Sequence, residues 1–207
     1  MLEILIATNN LGKVKEIKDI LNTQEIKILT MKDFPDLPKV EEDGKNYQEN
    51  AFKKARKISE YTGKICLADD SGLEIDYLKG KPGIYSSRWG NSDEERINKV
   101  LKLLKNVPKN KRKAKFVCAA VLVFPDGKRY MVKEECKGSI TFKPKGTHGF
   151  GYDPIFLVPE YNKTFAELGD EIKNRISHRG KAMRKMAEII KEIWEFFLTG
   201  SINRTPT

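Results

Sequence analysis

Glu3-Ile4-Leu5-Ile6-Ala7-Thr8, followed by Asn9-Asn10-Leu11-Gly12-Lys13 and then by Val14, Ile17, Ile20 and Leu21 at helical spacing, is the stretch that decides the fold. A short apolar run ending in polar residues reads as a buried strand over residues 3–8. The apolar positions after it recur on one helical face. A strand that turns directly into a helix opens an α/β chain. Outward from it, residues 26–29 alternate weakly and suggest a second strand. Asp33 to Gly44, with Pro35, Pro38 and an acidic cluster, reads as a loop. Tyr47 to Thr62 is a helix with Phe52, Ala55 and Ile58 on one face and Gly63 as its stop. Ile65–Ala68 is a buried strand that runs into Asp69-Asp70-Ser71-Gly72. Ser92 with Glu95 has the capping-box pattern ahead of a helix that buries Ile97, Val100, Leu101 and Leu104. Phe116–Phe124 and Arg129–Lys137 are β-rich and meet at the turn Pro125-Asp126-Gly127. The last helix runs from about Ser177 to Leu198, with Met183, Met186, Ala187, Ile190, Ile193, Trp194 and Phe197 as its apolar stripe. Helices and strands alternate first and a hairpin region follows. The expected architecture is therefore a mixed α/β fold, with a long twisted sheet and two lobes around a cleft, in one domain spanning residues 1–207.

Composition narrows the function classes. The chain has 207 residues, 39% of them hydrophobic, which is enough for a sizeable core. No apolar run approaches the roughly 20 residues that cross a bilayer, so no membrane partner is expected. The opening apolar run lacks a basic flank and reads as a strand, not a signal peptide. Cys66, Cys118 and Cys136 are odd in number, lack metal-ligand spacing and sit in apolar settings. Reduced thiols in the cytoplasm are the expectation. The net charge of +10 suits an anionic partner, either nucleic acid or a small polyphosphate. A solvated Lys/Glu-rich surface explains it equally well.

Four segments carry residue types suited to chemistry, and each also has a plainer reading. Thr8 to Lys13 offers short polar side chains, a glycine, free N–H groups at a helix start and a full charge at Lys13, which suits a phosphate chain. It also reads as an ordinary cap at Asn9 or Asn10 beside a surface lysine, because it is no Walker sequence. Asp69-Asp70, at the end of a buried strand, places two like charges side by side, and these need a cation or donors to stay ionised. Magnesium fits them, with further carboxylates at Glu41-Glu42-Asp43 and Glu49; a solvated turn is the alternative. Gly149-Phe150-Gly151-Tyr152-Asp153 combines aromatic faces for stacking on a base with glycine-freed backbone groups to read its edges, or else forms a bulge with core aromatics. Ser177-His178-Arg179 places a cap, an imidazole and a guanidinium at the positive end of the last helix, where they meet an anion or a purine carbonyl, or serve structure alone.

Taken together and in order, TNNLGK, YQENAFKKA, ADDSGL, PGIYSSRW, GFGYDPIF and SHRGKA closely resemble the inosine triphosphate pyrophosphatase family, over nearly the whole chain. The resemblance implies an elongated two-lobed α/β protein, commonly a homodimer. It implies hydrolysis of inosine, xanthosine and deoxyinosine triphosphates to the monophosphate and pyrophosphate, with Mg2+ as cofactor, which keeps these nucleotides out of DNA and RNA. By motif match, Thr8, Asn9, Asn10, Leu11, Gly12 and Lys13 would hold the triphosphate with help from Lys54. Asp70 would be the general base, with Ser71 beside the substrate. Glu41 and Asp70 would be the metal ligands, with Asp69 close enough to join them and Glu42 the alternative if the loop slips by one. Phe150, Gly151, Tyr152 and Asp153 would bind the base, with Lys173, His178 and Arg179 completing the nucleotide contacts. Asn9 stands where many relatives have a glycine.

The specificity implied is physical. A donor such as Arg179 accepts a 6-oxo purine and is mispaired against adenine's amino group. A nucleic-acid-binding module is the main competing reading, carried by the net charge and by Lys109-Asn110-Lys111-Arg112-Lys113-Ala114-Lys115. No RNA-binding or helix-turn-helix pattern supports it, and a solvated loop is the simpler account, so no nucleic-acid partner is expected. A relative with pyrimidine preference is the nearer alternative.

Overall fold

A computed structural model describes residues 1–21 and 25–200; within the expected domain, 22–24 and 201–207 lie outside them. The chain opens β1 (Leu2–Ile6), α1 (Leu11–Leu21), β2 (Ile26–Thr30), α2 (Tyr47–Thr62), β3 (Ile65–Ile75), α3 (Asp93–Leu103) and then the hairpin β4 (Lys113–Val123) and β5 (Arg129–Ile140). It closes with the short strands β6 (Phe156–Val158) and β7 (Lys163–Thr164), then α4 (Phe165–Ile176) and α5 (His178–Thr199). One seven-stranded sheet has the order β2-β1-β3-β4-β5-β6-β7. β1 is parallel to both β2 and β3, and every pairing from β3 onward is antiparallel. The fold is thus mixed α/β, as the alternation of elements implied.

Local chemistry explains the helix ends. Asn46 caps α2 by accepting from the Glu49 amide, and Gly63 closes it at φ 65°, a conformation that favours glycine. Ser92 caps α3 by accepting from Glu95 N–H at 3.1 Å, while the Glu95 carboxylate takes the Asn91 amide at 2.8 Å. The Ser177 hydroxyl caps α5 by accepting from Gly180 N–H at 3.0 Å. On α5, Met183, Met186 and Ile190 are buried as the stripe predicts, but Phe197 is 63% exposed.

Strand alternation divides the core. Leu67 on β3 and Cys118, Ala120 and Leu122 on β4 face α1 and α5, together with Ile17, Met183 and Met186. Cys66 and Ala68 face the other way and pack with Ala51, Ala55 and Ile58 of α2. A third cluster lies farther along the first face, where Leu73, Ile75 and Phe116 meet α3, β6 and α4. The two clusters on that face are separated by a polar strip; the candidate site borders this strip and also takes Lys54 and Asp70 from the α2 side.

The basic run at 109–115 has a structural role at its centre. Arg112 is fully buried, and its guanidinium donates to the carbonyls of Ile140, Leu104 and Thr141 at 2.8, 2.6 and 2.7 Å. It closes the chain after α3 and is not displayed to an anion. No described helix is long and apolar enough to cross a membrane. All three cysteines are unpaired and buried, and burial pushes the Cys66 thiol up to about 12.

Candidate functional site

The expected end of β3 at Ala68 is corrected, and the alternative reading of Asp69–Gly72 as a solvated turn falls with it. The strand runs on to Ile75, and Asp69 and Asp70 pair with Ala120 and Ala119 of β4. Successive side chains on a strand point to opposite faces. Asp69 and Ser71 therefore face α1 and α5, and Asp70 faces α2. The adjacent carboxylates therefore have different surroundings, although Lys13 and Lys54 act on both.

Asp69 is fully buried, behind the cavity wall and not on its lining. Its Oδ2 lies 3.0 Å from Lys13 Nζ and 3.2 Å from Arg179 Nε, and accepts from the Ser71 hydroxyl at 2.6 Å. Burial alone would raise its pKa, but Lys13, Arg179 and Lys54 outweigh burial and hold it far below the carboxylate range. From there an alternating chain of charges runs across the polar strip. Arg179 Nη1 meets Glu16 at 2.5 Å, Glu16 meets Lys173 Nζ at 2.7 Å, and Lys173 meets Asp153 at 2.5 Å. Three cations alternate with three carboxylates from Lys13 to Asp153, which lets so many charges be buried together. Asp69 is therefore paired with protein cations through Oδ2 and does not line the cavity, while its buried Oδ1 has no hydrogen-bond partner among the described residues.

One cavity of about 500 Å³ gathers the predicted residues, a size suited to a nucleotide-sized molecule. It is lined by Thr8, Asn10, Leu11, Gly12 and Lys13 from the first strand-to-helix turn, by Lys54, Asp70 and Ser71, and by Phe150, Gly151, Tyr152, Asp153, Lys173, His178 and Arg179 from the last third of the chain. Asn9 is absent from that lining and borders an adjoining hollow with Thr8 and Lys54. In the Thr8–Lys13 segment the cap of the plainer reading is present, but Lys13 is not a surface lysine. Asn10 caps α1 by accepting from Lys13 N–H at 3.1 Å, and Lys13 itself turns inward to Asp69. Gly12 is required by close approach: a Cβ there would lie 2.6 Å from Cδ1 of Phe150.

Asp70 accepts from Asn50 Nδ2 at 3.0 Å. Burial raises its pKa, with Lys54 and Lys13 only partly offsetting it. Lys54 donates to the Asp69 carbonyl at 2.7 Å and pairs with Glu42 at 2.7 Å. Glu42 is held below its usual range because Lys54 outweighs its burial. Glu41, the expected metal ligand, is exposed and borders a different hollow with Tyr85 and Arg88. Neighbouring residues in an extended loop point to opposite sides. Here Arg88 holds the Glu42 carbonyl at 2.8 Å while Lys54 draws the Glu42 carboxylate inward. Among the described residues no group of three or more His, Cys, Asp or Glu converges as for a self-sufficient metal site. Four carboxylates line the cavity, Glu42, Asp70, Asp93 and Asp153; of these Glu42 and Asp70, both beside Lys54, form an all-oxygen set. Such a set fits magnesium shared between protein and phosphate, since that ion is usually held by one or two carboxylates together with the substrate.

In the loop that carries Phe150, Gly149 and Gly151 adopt φ of 78° and 63°. Of the backbone groups this loop was expected to offer to a base, two amides have partners within the protein. Phe150 N–H donates to Asp153 at 2.9 Å and Gly151 N–H to Asp93 at 2.7 Å. The half-buried Phe150 ring lies beside them, with Lys173 Nζ 4.6 Å from its centroid. His178 stacks on Phe116 at 4.6 Å and 8°, and its Nδ1 has no partner among the described residues. Burial, reinforced by Arg179 and Lys173, lowers its pKa well below the usual value, so the imidazole is neutral. Arg179 spends Nε on Asp69, Nη1 on Glu16 and Nη2 on Ser71. A guanidinium has five N–H groups, so two are left for a ligand.

Sequence reasoning missed Glu16, Asn50, Ser86, Asp93 and Arg96. Glu16 had a signal, since it follows Lys13 at i+3 and so shares its side of α1. Ser86 and Asp93 had none, because their roles depend on which segment folds beside them.

Comparisons with known proteins agree with this geometry. A family model described as the Ham1 family matches residues 4–189. A dITP/XTP pyrophosphatase of Desulforamulus reducens is 46% identical over 196 residues, 93% of this chain and 98% of that protein. One from Geobacter sulfurreducens is 49% identical over 186 residues, 88% of this chain and 94% of its own. Among solved structures, a HAM1 protein from Coxiella burnetii superposes with a TM-score of 0.84 at 40% identity, covering 93% of this chain and all of that one. The Staphylococcus aureus Ham1 protein gives 0.82 at 38% identity, covering 91% and 98%.

Proposed function

The chain belongs to the Ham1 family, and from that premise we propose that it hydrolyses dITP, ITP and XTP to the nucleoside monophosphate and pyrophosphate, keeping these bases out of DNA and RNA. The observation that carries this reading is a single cavity that joins a capped helix start, a pair of carboxylates and an aromatic loop.

The residues divide the work. The start of α1 and Lys13 face the phosphates with partial and full positive charge. Lys54 adds a second charge in the cavity and holds Glu42 in place. Glu42 and Asp70 would hold a magnesium ion, which when bound offsets charge on the phosphate oxygens. Asp70 orients a water and takes its proton as the oxygen attacks the α-phosphorus. The bond between that phosphorus and the bridging oxygen breaks, and pyrophosphate leaves. The raised proton affinity of Asp70 serves a general base, whose pKa works best when drawn toward the operating pH.

At the base end, Phe150 supplies a face for stacking. The two free N–H groups of Arg179 and the neutral His178 supply donors for a 6-oxo purine. Adenine's amino group would leave such donors unpaired in a buried place, which discriminates strongly. We further assign the protein to the cytoplasm, as a homodimer. The test is pyrophosphate release with magnesium from inosine, xanthosine, deoxyinosine, guanosine, adenosine and thymidine triphosphates. Turnover confined to the first three is expected; equal turnover of all six refutes the discrimination argument.

A further inference from the structure

We propose that Asp93, at the start of α3, is a positioning residue that holds the nucleobase loop in its binding conformation through the Gly151 amide. The inference rests on the pyrophosphatase reading of the cavity. The Asp93 Oδ2 accepts from Gly151 N–H at 2.7 Å, and its Oδ1 takes Arg96 Nη1 at 2.5 Å. Arg96 is itself fixed, since its Nε donates to the Gly90 carbonyl at 3.0 Å. Both Asp93 and Arg96 line the cavity.

The loop needs such a hold. Gly149 and Gly151 both occupy positive φ, where glycine is free to leave as well as to enter. Between and beside them stand Phe150 and Tyr152. The loop is pinned from α4 by the Lys173–Asp153 pair and from the other side by two bonds, Gly151 to Asp93 and the Tyr152 hydroxyl to the Ser86 carbonyl at 3.0 Å. Of these last two, only Asp93 grips the peptide next to Phe150. It does so from a rigid base, because α3 is anchored by the buried Ile97 and Val100. The carboxylate also sits in the first turn of its helix, where negative charge is favoured. Its side chain is 46% exposed, so it is no core residue, and its loss should leave the fold intact.

The experiment measures dITP hydrolysis by wild type, Asp93→Ala, Asp93→Asn and Ser92→Ala, with inhibition by inorganic tripolyphosphate, which carries phosphates and no base. Asp93→Ala should raise KM for dITP about tenfold with kcat within about twofold, the loss of one charge-assisted hydrogen bond. Inhibition by tripolyphosphate should not change. Asp93→Asn, which keeps an accepting oxygen, should recover most of the loss. Ser92→Ala weakens the same helix end and should lower Tm without moving KM. An unchanged KM in Asp93→Ala overturns the proposal. So does an equal KM rise in Ser92→Ala, or a parallel weakening of tripolyphosphate inhibition. If wild type itself releases no pyrophosphate from dITP, the reading of the cavity fails first, and this inference falls with it.

Discussion

Asp69 and Asp70 are adjacent, yet neutralising them should move stability in opposite directions. Asp69 is fully buried between Lys13 and Arg179. Asp69→Asn leaves Lys13 unpaired and Arg179 with Glu16 alone. Breaking a buried ion pair by removing one partner costs about 3–5 kcal/mol. For a chain of this size that lowers Tm by about 6–20 °C. Asp70 faces α2, and burial raises its pKa. Its charged form is therefore disfavoured in the folded state, and Asp70→Asn should leave Tm unchanged or raise it while abolishing most turnover. The pH dependence has matching signs. The lowered pKa of Asp69 contributes stability present above its ordinary value of 3.8 and lost as pH falls through the folded value. The raised pKa of Asp70 contributes stability present below 3.8 and lost as pH rises through the folded value. Thermal unfolding by circular dichroism near neutral pH, with pyrophosphate release on the same samples, reads both effects. A rise in Tm for Asp69→Asn, or equal losses for the two variants, refutes the assignment of the carboxylates to opposite faces. Near-normal turnover in Asp70→Asn refutes its role as base.

Three further outcomes are expected. Gly12→Ala places a methyl group 2.6 Å from Phe150 and should displace that ring. KM then rises about tenfold while Tm holds or increases slightly, since alanine is the better helix former; an unchanged KM contradicts the close packing. Lys54→Met removes the partner of Glu42 and should reduce kcat/KM by on the order of a hundredfold. Lys54→Arg should not restore it, because the forked guanidinium does not replace a compact ammonium in a buried place. His178 should still show the imidazole resonances of the neutral form by NMR at its ordinary pKa of 6.5, because burial, Arg179 and Lys173 lower its own. Its lowered pKa contributes stability that is present above the usual 6.5 and declines as pH falls below it. A titration of His178 near 6.5 would show that burial and its cationic neighbours do not control it.

Much of the fold was legible because local forces decide it. Tyr47–Thr62 begins after Asn46 and stops at Gly63 for reasons contained in those residues alone. The hairpin at Pro125-Asp126-Gly127 follows from turn chemistry, with Gly127 at φ 87°. The full length of β3 was not legible. A run of Asp-Asp-Ser-Gly reads as a turn unless a partner strand is known, and β4 lies far along the chain. α4 was also missed: its helical turns are interrupted at Gly169, at φ 75°.

The site divides along the same line. The sequence by itself determined which residue types were available, in which order, and that Thr8–Lys13, Asp69–Asp70, Phe150–Asp153 and His178–Arg179 were suited to a nucleoside triphosphate. These are properties of side-chain chemistry and short-range spacing. Tertiary structure alone decided that Glu42 and not Glu41 faces the cavity, and that Asp69 serves the protein's cations while Asp70 faces the site. It also decided that Asp93 reaches Gly151, fifty-eight positions away. Each of these depends on which face a side chain presents and on which distant segment packs there, and both are set only when the sheet closes.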